Sequence, residues 1–60
     1  MDLYQLFPDY RKGIVWMCSF KDFDQAITWL VKRYYIENIF PDGWNKYFIN
    51  TKFGQTFILE

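Results

Sequence analysis

The chain has 60 residues, with seven Lys or Arg against seven Asp or Glu, no His, and 25% aromatic side chains. Its one cysteine, Cys18, excludes an internal disulfide, and without His a four-ligand Cys/His zinc site cannot be assembled. Zero net charge supplies neither the basic excess that grips a phosphate backbone nor the acidic excess of a DNA mimic, and no stretch approaches the roughly 20 apolar residues of a membrane span.

A chain this short is expected to form one domain, 1–60, and to bury only about 60% of its unfolded surface. Rings that each bury on the order of 150–250 Å² must then supply much of the cohesion. The start, Met1-Asp2-Leu3-Tyr4, lacks the basic end and long apolar run of a signal peptide. Together with a free thiol, this predicts a cytoplasmic protein. Phe, Tyr, Ile, Asn and Lys are abundant and Ala occurs once. That codon-linked bias predicts a small protein of a bacterium, plasmid or phage with an AT-rich genome.

In chain order, Leu3 to Phe7 reads as a short strand. Pro8-Asp9-Tyr10-Arg11-Lys12-Gly13 reads as a turn. Ile14 to Phe20 (Ile-Val-Trp-Met-Cys-Ser-Phe) is an apolar, partly β-branched run and the strongest strand signal. A helix is predicted over residues 22 to 37. Asp22 is its N-cap, Gln25 stands three residues on, and Asp24 adds negative charge to the first turn. Ser19 with Asp22 offers a second possible capping box. Phe23, Ala26, Ile27, Leu30, Val31 and Tyr34 form its inward face, and Lys32 and Arg33 suit its C-terminal dipole. Pro41-Asp42-Gly43 is read as the stop. Trp44 to Asn50 and Phe53 to Leu59 then form a hairpin about Thr51-Lys52-Phe53-Gly54.

The order strand, strand, helix, strand, strand predicts an α+β fold. A four-stranded sheet carries one helix on one face in a ββαββ, β-grasp-like layout, and the first and last strands pair in parallel at the centre. A plain antiparallel meander is the alternative. The element order, the length and the Asp42-Gly43-Trp44 start of the second hairpin resemble the small immunoglobulin-binding domains of streptococcal surface proteins. The resemblance implies a layout and transfers no functional residue.

Alternation assigns the faces. Ile14, Trp16, Cys18 and Phe20 are expected against the helix, with Val15, Met17 and Ser19 on the outer side. Phe53, Phe57 and Leu59 share one face of the last strand, and Thr56 and Ile58 the other. The third strand offers Trp44, Lys46, Phe48 and Asn50 on one face and Asn45, Tyr47 and Ile49 on the other, with either choice open. Trp29 and Ile36, seven apart, fall on the outward side of a helix that long.

No catalytic set is present. Cys18 has no imidazole to activate it and reads as a small buried hydrophobe. Asp22 and Asp24 are explained by capping and first-turn charge, and Asp9 and Asp42 by turns. Gly13, Gly43 and Gly54 mark separate turns rather than a phosphate loop. No cofactor or metal is implied. The surplus of rings predicts instead a non-enzymatic protein-interaction module, a phage- or mobile-element-encoded inhibitor or adaptor that binds a larger host protein and self-associates, as a dimer. Trp29, Lys32, Arg33, Tyr35 and Ile36 are the candidate partner-binding residues. Val15, Met17 and Ile58 are the candidate self-association residues. A single-stranded nucleic-acid module using Trp44, Lys46, Tyr47, Phe48 and Lys52 is the alternative, since rings on a sheet can stack bases.

Overall fold

The computed structural model describes residues 1–7 and 13–60, so the predicted turn at Pro8–Lys12 lies outside the described residues. Five strands and one helix follow in the order β1 (Asp2–Leu6), β2 (Ile14–Ser19), α1 (Phe23–Arg33), β3 (Ile36–Pro41), β4 (Tyr47–Thr51) and β5 (Thr56–Leu59). The strands form one sheet in the order β2-β1-β5-β4-β3, and every pairing is antiparallel. The α+β class with one helix holds. The strand count and the layout differ from expectation.

The helix starts as its residues dictate. Asp22 is extended, and its carboxylate accepts from the Gln25 N–H at 2.9 Å. Gln25 reaches back past the cap to accept from the Lys21 N–H at 2.6 Å. One free N–H of the first turn, that of Gln25, is thereby satisfied, together with the N–H of Lys21 just before the cap. Ser19 takes no part in the cap, because its hydroxyl donates to Asp2 across the sheet.

The end of the helix is a correction. It stops at Arg33, with Tyr34 already extended at φ −133°, ψ 152° while its N–H still reaches the Leu30 carbonyl at 2.8 Å. Beyond it, Ile36, Ile39 and Phe40 are β-branched or aromatic and fit a pleated surface better than a helix. They form β3 at the sheet edge, where Pro41 at the strand end costs no ladder bond. That extra strand also settles the topology. One more reversal of direction turns β5 over, so the first and last strands do meet at the centre, but antiparallel rather than parallel.

The core lies between α1 and the sheet. Leu3, Ala26, Leu30, Ile49, Phe57 and Leu59 are fully buried. Phe23 packs on Tyr47 with ring centroids 4.5 Å apart, and Tyr34 packs on Phe57 at 4.8 Å. Tyr47 and Ile49 thus face inward, which settles the choice in that strand. Two rings expected in strands sit in turns instead. Trp44 is 95% exposed in the β3–β4 connection, and Phe53 is exposed in the β4–β5 connection. The latter turn closes through Thr51, whose hydroxyl donates to Gln55 Oε1 at 2.8 Å and accepts the Gln55 N–H at 3.1 Å.

The second strand also departs from strict alternation. Leu3 pairs with Cys18 and Tyr4 with Trp16, so Met17 is an extra residue in a β-bulge. The bulge reverses the parity of everything before it. Cys18 packs on the core as expected, but so does Met17. Ile14 and Trp16 share the registers of Leu6 and Tyr4 and turn to the side away from the helix.

Candidate protein-interaction surface

Registers across the sheet align one row of side chains on the face opposite α1. Trp16, Tyr4, Ile58, Phe48 and Phe40 stand side by side, one from each strand. Ile14 and Leu6 extend the row on its β2–β1 side, and Thr56, Asn50 and Asn38 continue on the other. An open antiparallel face is ordinarily polar. Here its central row is apolar or aromatic on every strand.

The row differs along its length. Ile58, at its centre, is only 5% exposed although no helix covers it. Tyr4 and Phe48 are its paired neighbours on either side and are themselves half-buried. Exposure concentrates at the two ends, on Trp16 and Ile14 of β2 and Phe40 of β3.

A charged border runs beside the row. Asp2 and Glu60 exchange backbone hydrogen bonds at 2.7 and 3.0 Å, placing the two ends of the chain side by side. Lys46 approaches Glu60 at 3.8 Å and lies over the Phe48 ring at 5.6 Å. Trp16 Nε1 donates to the Asp2 carboxylate at 3.2 Å, and the Ser19 hydroxyl donates to the same oxygen. The Ser19 bond first, and the Trp16 bond next, hold the Asp2 carboxyl below its ordinary pKa, because both favour the charged form. Trp16 is thereby pinned on the outer face rather than left free to rotate.

The residues named from sequence are distributed as follows. Trp29, Lys32 and Arg33 do lie together on α1, lining a cleft of about 540 Å³ with Phe20 and Thr28. Trp29 is half-buried rather than outward, since it packs on Phe20 at 5.6 Å and Tyr34 at 6.5 Å. Arg33 covers its other side at 4.2 Å and donates to the Trp29 carbonyl at 3.3 Å. Ile36 belongs to β3, not to the helix, and packs on the core. Tyr35 is exposed, with Lys52 over its ring at 5.0 Å. The five therefore do not make one helical stripe, because the helix ends before the last two.

Val15, Met17 and Ile58 do not share a face. The bulge sends Met17 inward, Val15 pairs with Gln5 on the helix side, and only Ile58 is on the outer face. Among the nucleic-acid candidates, Lys46 and Phe48 share the outer face, but Tyr47 faces inward against Phe23. Trp44 and Lys52 lie in turns at opposite ends of β4. Sequence reasoning missed Tyr4, Trp16 and Phe40 as outer-face residues. The apolar content of their segments was visible, but a bulge and an unrecognised strand decided their side.

Among the described residues, no His, Cys, Asp or Glu gather in a group that could hold a metal ion, and no helix is long and apolar enough to cross a membrane. Compared with known proteins, the chain matches no family model, no curated protein and no solved structure.

Proposed function

We propose that this chain is a non-enzymatic protein-interaction module that binds a larger protein, as inhibitor or adaptor, through the open face of its sheet, and that it also self-associates. The observation that carries the reading is the row Trp16, Tyr4, Ile58, Phe48 and Phe40, aligned by register on a face that no other helix or strand among the described residues covers. The exposed apolar side chains at the two ends of that row, Trp16 with Ile14 and Phe40, are the surface offered to a partner, and Trp and Tyr are enriched where binding energy concentrates. The charged border of Asp2, Glu60 and Lys46 supplies the polar rim that such interfaces carry. The two acids also oppose a polyanion on this face.

The test is capture of binding partners from bacterial lysate by immobilised protein. Wild type, a Trp16→Ala/Phe40→Ala double variant and a Trp44→Ala control are compared. The reading expects a partner retained by wild type and by the control and lost with the double variant. Equal capture by all three proteins, or tight binding of labelled single-stranded DNA to the wild type that the double variant loses, overturns it.

A further inference from the structure

We infer that two copies of the chain join edge to edge through β2, antiparallel about a two-fold axis at Val15, so that their sheets become one continuous sheet. The inference rests on the self-association proposed above and assigns its surface.

The two edge strands are β2 and β3. The β3 edge is blunted against strand addition. Its register slips between Ile36 and Asn38, leaving Glu37 as an extra charged residue, and Pro41 at its end has no N–H to offer. The β2 edge has its bulge later, at Met17, so Ile14-Val15-Trp16 is regular and uncharged. These three side chains are 56%, 39% and 56% exposed. An apolar, regular, open edge is the kind that pairs with another strand.

The hydrogen-bond parity fits a two-fold pairing. Pairs in an antiparallel ladder alternate between bonded and non-bonded. The Phe7 N–H donates to the Gly13 carbonyl at 2.7 Å. Counting inward from Gly13, Val15 is the next residue bonded to β1, through its partner Gln5. The N–H and C=O groups of Ile14 and Trp16 therefore point away from β1. A two-fold axis at Val15 sets Ile14 of each copy opposite the partner's Trp16. Every outward N–H and C=O of these two residues then finds a mate.

The side chains agree with that register. Ile14 lies beside the partner's Trp16 on the outer face, a favourable pairing of β-branched with aromatic. Val15 meets the partner's Val15 on the helix side. None of Ile14, Val15 and Trp16 is charged. Trp16 is already held by Asp2, so little side-chain freedom is lost on association. Three side chains per copy bury well under the about 800 Å² per partner of a standard interface, so the association is expected to be weak.

The experiment is sedimentation equilibrium from micromolar to millimolar concentration on wild type, Val15→Lys, Val15→Glu and an equimolar mixture of the two variants, with circular dichroism to confirm that each is folded. Wild type is expected to approach twice the 7.5 kDa chain mass. Each single variant should associate at least tenfold more weakly, because like charges face each other across the axis. Mixing should restore the dimer, because Lys then faces Glu. A wild type that dimerises while both folded variants dimerise equally well overturns the β2 assignment and leaves self-association standing. A wild type that stays monomeric throughout overturns both. If either variant fails to fold, Ile14→Pro replaces it. That change removes an outward N–H without touching the β1 ladder, and undiminished association overturns the assignment in the same way.

Discussion

The two faces of the sheet carry the same kinds of side chain and differ in what lies over them. On the inner face, Leu3, Ile49, Phe57 and Leu59 are sealed by Ala26 and Leu30 of α1. On the outer face, Tyr4, Ile58 and Phe48 stand side by side with no helix over them among the described residues. The difference teaches that in a domain this small apolar composition does not separate core from surface. A single helix of eleven residues covers one face only. The rings left over must shelter their own neighbours or meet another molecule.

Neighbouring residues of β5 give the sharpest way to break this comparison. Phe57→Ala empties the sealed face and should cost about 3–5 kcal/mol in denaturant unfolding, enough to unfold most of a domain this size. Ile58→Ala removes the centre of the outer row. Among the described residues its paired neighbours are Tyr4 and Phe48 and no helix lies over it, so a smaller loss of about 2 kcal/mol is expected in the same measurement. Equal losses at the two positions would mean that the outer face is as well packed as the core.

Smaller effects test the ends of the row. Phe40→Ala should change stability by less than about 1 kcal/mol, since the residue is already 49% exposed, while weakening partner binding by more than about 2 kcal/mol in calorimetry. A large stability loss with unchanged binding would make the row structural. The smallest effect concerns Asp2. Its carboxyl is lowered by bonds from Ser19 and Trp16, so the stabilisation it gives is present above the ordinary aspartate pKa of about 4 and fades as pH falls through the lower folded value. Trp16 fluorescence is expected to titrate in that acid window, and Asp2→Asn should abolish the titration. Titration that persists in the variant would assign it to another group.

Legibility from sequence followed the regularity of the backbone. The Asp22 cap could be read because capping chemistry is local. The inward and outward residues of β5, Phe57 and Leu59 against Ile58, could be read because that strand has no irregularity. The faces of β2 could not, since the bulge at Met17 involves no glycine and one inserted residue inverts all that precedes it. Nor could β3, because Tyr34 and Ile36 continue a helical spacing that the strand preference of the following residues overrides. Losing that strand misplaced Ile36 from sheet to helix, and the helix end at Arg33 took Tyr35 and Ile36, two of the five expected binding residues, off its surface. Trp44 and Phe53 show the remaining limit: an aromatic residue in a turn looks like a strand residue until the turn closes.

The adjacency of Asp2 and Glu60 has a consequence for how the chain finds its fold. β1–β2, β3–β4 and β4–β5 are hairpins between successive strands, or strands a short turn apart, and can zip locally. The β1–β5 seam joins segments from opposite ends of the chain, and its closure carries the largest loop entropy of any pairing in the sheet. Sequence separation of that kind slows folding more than it lowers stability. A permuted chain, with its present ends joined by a short glycine-rich linker and new ends opened between β2 and α1, would turn the seam into a hairpin and leave every strand paired with its neighbour in sequence. It should refold faster in stopped-flow mixing.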